Sequence, residues 1–251
     1  MHCRLCHKAA ELKRSHIIPE FFYAATYDAL HRFHVITSNP DVPERHAQKG
    51  LRERLLCQQC EQLFGRWEHY AKEMLVDSKG ITSAPVADGV ILRGIDYTKF
   101  KLFLLSILWR MGASTLDEFK EVKLGDYHEE KLRQALLKCD PMEEDRYGCF
   151  LIALTLKGKI HTDWIVPPTL VRLSKQHCYR VLINGILYCF IVSKQPSPKN
   201  LKPLLINRRN QLRILMSDVV GVPFLYEAAL DLSNAIRQRS GRRKLIDATK
   251  S

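Results

Sequence analysis

The amino-acid sequence predicts an α+β protein: a small cysteine-framed module at the N-terminus, then helices and a mixed or antiparallel sheet. Three observations predict it. Cys3-Arg4-Leu5-Cys6 and Cys57-Gln58-Gln59-Cys60 are two matched C-x-x-C pairs. Between residues 97 and 111, Phe100, Phe103, Leu104, Ile107, Leu108 and Met111 recur at helical spacing and form a broad apolar stripe. From Tyr147 onward, β-rich segments alternate with turn signals, of which Asn184-Gly185 is the strongest. A chain of 251 residues can hold one large or two modest domains. The expected division is a module over 1–76, a linker over 77–94 and a basic α+β domain over 95–251.

After the first cysteine pair, Leu12 to Ile18 reads as a strand, and Pro19 is suited to the first position of a helix. Glu20 to Phe33 keeps Phe22, Ala25, Ala29 and Phe33 near one face and predicts that helix. Ser38 to Gly50, with Asn39-Pro40 and Pro43, predicts a loop. Leu51 to Leu56 leads into the second cysteine pair, and a helix follows to Leu75. Asp77 to Gly94 carries Gly80, Pro85 and Gly89 and is the expected linker. Asp96 is placed to cap a helix over Tyr97–Met111, and Gly112 to end it. A second helix is expected over Tyr127–Cys139, with Asp126 and Glu129 in a capping-box arrangement.

Phe150–Leu156, Lys159–Val166, His177–Ile183 and Ile186–Val192 follow as strands. A two-residue turn at Asn184-Gly185 sets Arg180 opposite Cys189 and Val181 opposite Tyr188. One face then reads Tyr179, Val181, Ile183, Ile186, Tyr188 and Phe190, and the other Cys178, Leu182, Leu187, Cys189 and Ile191. Both are apolar, so the sheet should be covered on both sides. A strand at Leu212–Met216 and a helix from Pro223 to about Arg239 complete the expected fold.

A C-x-x-C places two thiolates on one tight turn, so two pairs supply the four sulfurs of a tetrahedral structural zinc: Cys3, Cys6, Cys57 and Cys60. Between them lies Ser15-His16-Ile17-Ile18-Pro19. This order, followed by Leu55-Leu56-Cys57-x-x-Cys60-Glu61, resembles zinc-containing HNH endonucleases of the treble-clef, ββα-metal type over about residues 1–75. The resemblance implies a treble-clef (ββα) module that hydrolyses phosphodiester bonds, with His16 as the general base that activates water. It implies Glu61 as a ligand of a second, hard cation, magnesium or manganese, which accepts oxygen donors. Ser15 stands where the family usually has Asp or His, and Arg52 and Glu53 stand where its asparagine is expected. Glu53 or Glu20 is the candidate to complete the cation site. Read from its position alone, Glu61 is equally a first-turn carboxylate favoured by the helix dipole.

The net charge is +12, and its distribution is uneven. Residues 1–75 carry a net +2, residues 76–145 a net −3 and residues 146–251 a net +13. Basic excess on this scale attracts phosphate backbones, so nucleic acid, DNA ahead of RNA, is the expected partner of the C-terminal half. The candidate contacts are Arg237, Arg239, Arg242, Arg243 and Lys244, then Arg208, Arg209 and Arg213. The same charge would suit an acidic partner or a nucleotide, and a homodimer or partner subunit is a further expectation. Cys139, Cys149, Cys178 and Cys189 lie in apolar stretches and read as small core residues. No apolar run reaches membrane-spanning length. With no signal-peptide core in sight, a cytoplasmic protein is expected; the resemblance to HNH endonucleases implies a host-defence effector.

Overall fold

The structure is a computed structural model, and it describes residues 1–27, 30, 32–35, 45–48, 50–156, 158–160 and 165–221. It is a mixed α+β fold built on one eight-stranded sheet and two separate two-stranded ribbons. The first ribbon pairs β1 (Leu12–His16) with β4 (Arg52–Cys57), antiparallel. The second pairs β2 (Arg32–Val35) with β3 (Arg45–Gln48). That ribbon corrects two expectations. The helix over Glu20–Phe33 is only a short 3-10 segment, Glu20–Thr26, and a strand lies inside the segment expected as a loop. Tyr27 is already extended (φ −77°, ψ 136°), and the Thr26 hydroxyl donates to the Tyr23 carbonyl at 2.8 Å. Such local side-chain bonds compete with helical continuation.

Helix α1 runs Gln58–Leu75 and turns Phe64, Trp67, Ala71 and Met74 inward. The segment 77–94, expected as a linker, holds β5 (Thr82–Val86) and β6 (Gly89–Arg93), a hairpin of the large sheet. Pro85 is tolerated because β5 is an edge strand. Gly89, at φ +157°, is obligatory, since a Cβ there would meet the Ile214 carbonyl oxygen at 2.0 Å.

Helix α2 (Tyr97–Ala113) starts as expected, the Asp96 carboxylate accepting from the Lys99 amide at 3.0 Å. It does not stop at Gly112. That glycine lies inside the helix, where its lack of a side chain lets Leu124 pack closely: a Cβ would come within 2.2 Å of it. Phe100 to Met111 is buried on every side, including Lys101 and Arg110. Helix α3 (Gly125–Leu137) starts and ends two residues earlier than expected, and no side chain caps it. The Asp126–Glu129 capping box is not made, and Glu129 pairs with Arg4 instead.

The large sheet runs β5-β6-β12-β7-β11-β10-β9, with β7 as Cys149–Leu156, β9 as Ile165–Leu173, β10 as Gln176–Ile183, β11 as Ile186–Val192 and β12 as Gln211–Asp218. The two-residue β8 (Lys159–Ile160) pairs beside β7. Of the strand expected at Lys159–Val166, the first two residues lie in β8 and the last two in β9, while 161–164 lie outside the described residues; the edge strand β9 accommodates Pro167 and Pro168. Asn184 (φ 50°) and Gly185 (φ 73°) make the expected turn, and Arg180 faces Cys189 as predicted. All pairings are antiparallel except β12 with β7, which makes the sheet mixed.

One continuous core includes Cys3, Leu56 and Phe64, runs through α2, and reaches Tyr179, Tyr188 and Ile214 on the sheet. The opposite face buries Phe150, Leu154, Cys178, Leu182, Leu187, Cys189, Ile191 and Leu205, so both faces are covered. The helix expected at 223–239, with Arg237, Arg239, Arg242, Arg243 and Lys244, lies outside the described residues.

Candidate metal centre and its surroundings

Two tight segments bring the four cysteines together. In the first, the His7 amide donates to the Cys3 carbonyl at 2.8 Å and the Cys3 amide to the Lys8 carbonyl at 3.0 Å; His7 takes a positive φ of 60° to close the turn. In the second, the strand–helix junction makes Cys57 the N-cap of α1 and sets Cys60 in its first turn. All four sulfurs lie within 4.8 Å of one another. Cys6 and Cys57 are 3.8 Å apart. A tetrahedral zinc with Zn–S bonds of about 2.3 Å requires sulfurs about 3.8 Å apart. The four sulfurs could therefore hold a metal ion such as zinc. The Cys57 amide donates to the Cys3 sulfur at 3.3 Å, which stabilises negative charge on it.

The thiols respond differently to this crowding. Burial pushes Cys6 and Cys60 up. Burial also acts upward on Cys57, but hydrogen bonds from the Cys60 backbone and from the side chains of Cys60, Cys3 and Cys6 outweigh it, and its thiol is lowered. A dication would offset the cost of the buried thiolates.

A β-bulge connects this cluster to the ribbon. The register of β1 with β4 slips between Lys13 and Arg14, leaving Leu55 unpaired across the ribbon. The Leu55 carbonyl instead accepts from the Arg4 amide of the first cysteine turn at 3.0 Å. Ser15, in the strand position next to His16, is buried, and its hydroxyl accepts from the Leu56 amide at 3.1 Å. It serves the ribbon. Successive strand residues face opposite ways, so His16 turns outward and keeps about a quarter of its side-chain surface exposed. Its Nε2 lies 2.7 Å from Glu20 Oε2, and the Tyr27 hydroxyl donates to Glu20 Oε1 at 2.6 Å. Burial, and then the hydrogen bond to Glu20, holds Tyr27 above the usual phenol range, so it remains a donor.

The remaining predicted site residues fare differently. Glu61 is half-buried in the first turn of α1, and its buried Oε1 has no hydrogen-bond partner among the described residues. Glu53, opposite Ser15, is committed elsewhere. It accepts from the Ser114 hydroxyl at 2.8 Å and from the Thr115 amide and hydroxyl at 2.9 and 2.7 Å, tying β4 to the end of α2. Among the described residues, the four cysteines are the one group of three or more His, Cys, Asp or Glu side chains placed to share a metal ion. Arg208 and Arg213 each face an acid, Glu143 at 3.5 Å and Asp88 respectively. Arg209 is exposed, its amide bonded to Asn207.

Sequence reasoning missed two arginines that hold this region. Arg110, almost fully buried, donates from NH1 to the His16 carbonyl at 2.7 Å and to Glu68 at 2.6 Å, and lies 5.4 Å from the Phe64 ring centre. Arg133 on α3 donates to the Leu5 carbonyl inside the first cysteine turn and pairs with Glu130 at 2.6 Å. The signal for Arg110 was available: a charged residue amid an apolar helix has to find acceptors. No helix among the described residues is long and apolar enough to cross a membrane. No protein-family model, curated protein or solved structure matches the chain.

Proposed function

We propose that the cysteine-framed region is a zinc-stabilised, treble-clef HNH-like nuclease that hydrolyses phosphodiester bonds of nucleic acid with the help of a second, hard cation. The observation that carries the reading is the placement of His16: it is partly exposed at the end of β1, the strand that leads away from the cysteine cluster, with the Glu20 carboxylate at 2.7 Å from one ring nitrogen. A carboxylate at Nε2 favours the tautomer that carries its proton there, which leaves the basic lone pair on Nδ1. His16 then takes a proton from water as water attacks phosphorus. The buried, unpartnered Glu61 oxygen is the donor this chain offers a hard cation. Magnesium or manganese bound there would stabilise the charge that develops on the leaving oxygen.

A second reading has its own support: a zinc module that binds nucleic acid or protein without cleaving it. Ser15 is consumed by the Leu56 amide and Glu53 by Ser114 and Thr115, so neither is ready to complete a cation site. Supercoiled plasmid digested with magnesium or manganese separates the two. The nuclease reading expects cleavage by the intact protein and a loss of about 10²–10⁴-fold in His16→Ala, with zinc content unchanged. An equal rate in both proteins, or none in either, favours the binding module.

A further inference from the structure

At the end of the sheet where α3 begins, cationic side chains from four parts of the chain gather without acidic partners. His128 lies in the first turns of α3, Arg146 in the segment before β7, His177 near the start of β10 and Lys194 just beyond β11. The Lys194 ammonium sits 4.6 Å over the ring of Tyr127, and the Arg146 guanidinium donates to the Lys194 carbonyl at 2.7 Å. The rings of Tyr127 and His128 meet edge to face at 5.1 Å. His177 pairs with Val192 across β10 and β11, so it flanks the same sheet end as Lys194.

Several cations elsewhere are paired. Arg4, Arg110, Arg133, Lys202, Arg208 and Arg213 each have a carboxylate. His128, Arg146, His177 and Lys194 form no ion pair among the described residues. The acids nearest in sequence are directed elsewhere: Glu129 to Arg4 and Asp145 to Lys202. Asp126 precedes His128 by two helical positions, which places them on nearly opposite sides of α3. Burial, followed by Lys194, His177 and Arg146, lowers the His128 pKa, in keeping with an uncompensated positive field.

The histidine also has a phenol beside it. His128 Nδ1 lies 2.9 Å from the Tyr147 hydroxyl. Burial pushes Tyr147 up to about 12, so the phenol keeps its proton and is able to donate it to Nδ1. In that arrangement the ring proton of neutral His128 is on Nε2, for which no hydrogen bond is found among the described residues. Tyr147 itself has a left-handed backbone, φ 46°, an unfavourable conformation for a large side chain. The buried Lys101 ammonium fixes it there by donating to its carbonyl at 3.0 Å.

We propose that this end of the sheet is a phosphate-binding site, in which His128, Arg146 and Lys194 donate to the oxygens of a phosphate group and His177 adds charge at the rim. Several N–H donors on separate rigid elements, with no internal carboxylate to displace, are what a phosphate dianion or a phosphodiester needs. The proposal is independent of whether His16 is a catalytic base.

The phosphate could belong to a free phosphorylated molecule or to a nucleic-acid strand, and the test distinguishes them. Pyrophosphate, thymidine monophosphate and single-stranded oligothymidylate are titrated into the intact, zinc-loaded protein while histidine ring resonances are followed by NMR. His128→Asn identifies the relevant signal, and exposed Lys194→Glu reverses a charge without touching the core. Binding should shift the His128 ring, and Lys194→Glu should weaken it by about tenfold or more, the scale of one charge-assisted hydrogen bond. A response to all three probes assigns the phosphate group itself, and one confined to oligothymidylate, with steep salt dependence, assigns a strand. A His128 ring unmoved by every probe, or a shift equal in Lys194→Glu, overturns the site.

Discussion

Strands β1 and β4 form a sheet of two, whereas the strands from β5 to β12 form a sheet of eight, and the two regions order their chain by different means. On the large sheet, alternation suffices: Tyr179, Val181, Ile183, Tyr188 and Phe190 enter one core and Cys178, Leu182, Leu187 and Cys189 the other. A two-stranded ribbon cannot do this, since it is marginal alone. Around it the chain depends on polar contacts of fixed direction: the four-sulfur cluster, Ser15 on the Leu56 amide, Arg110 on the His16 carbonyl and Arg133 on the Leu5 carbonyl. The difference teaches that apolar area can hold a large sheet, while a small ribbon, although Leu12, Leu55 and Leu56 join the same core, adds directional bonds.

The comparison breaks most sharply at the cysteines. Cys57→Ser should abolish stoichiometric metal and unfold the ribbon region, since structural zinc contributes on the order of 10 kcal/mol in small zinc modules. Elemental analysis with thermal unfolding checks this. A metal-free protein with an unchanged melting temperature would remove the zinc from the account. Arg110→Met comes next. It leaves the His16 carbonyl and Glu68 without their donor and should cost about 3–5 kcal/mol, read by urea unfolding. A cost below that of an exposed pair would mean the ribbon is not clamped by α2.

Two changes sharpen the sheet side. Gly89→Ala forces a Cβ into the Ile214 carbonyl at 2.0 Å and should part β6 from β12, at about 2 kcal/mol or more. Loss of amide-exchange protection confined to β5, β6 and β12 is the expected signature. Lys101 offers a pH test. Burial lowers its ammonium to about 8 in the folded protein, below its ordinary value of 10.5. Below pH 8 it is protonated in both states, and between 8 and 10.5 only the unfolded chain keeps the proton. Its contribution to stability therefore rises with pH across that window, by up to about 1.4 kcal/mol per unit. The stability of wild type relative to Lys101→Met, measured from pH 7 to 10, should climb; a flat difference would show that Lys101 is not desolvated. The smallest effect is expected at the surface, where Arg208→Ala should cost less than about 1 kcal/mol, because its pair with Glu143 is solvent-exposed.

Legibility followed the same division. The turn at Asn184-Gly185, the register it sets and the apolar stripe of α2 could be read because each follows from a local pattern of period two or 3.6. The ribbon region was less legible. The sequence of Glu20–Phe33 has helical spacing, yet Thr26 and Tyr27 end the turn and β2 follows. Gly80, Pro85 and Gly89 look like linker residues, and two of them instead suit an edge strand and a close backbone approach. Glu53 looked available for a cation and is held by Ser114 and Thr115, residues sixty positions away.

The sequence by itself determined the candidate ligand set, because C-x-x-C spacing constrains two thiolates to one turn wherever the turn lies. It determined which residues could alternate into a two-faced sheet, and that His16 stood between the cysteine pairs. Only the tertiary structure decided that Ser15 is a buried ribbon contact, that Glu20 rather than Glu53 reaches His16, that Arg110 ties α2 to the His16 carbonyl and that Arg133 ties α3 to the first cysteine turn. It alone decided that, among the described residues, Arg208 and Arg213 face acids while Arg146 and Lys194 do not. The physical reason is range. Backbone geometry repeats within a few residues and leaves a periodic trace, whereas hydrogen bonds and ion pairs form between any groups the fold brings within about 3 Å.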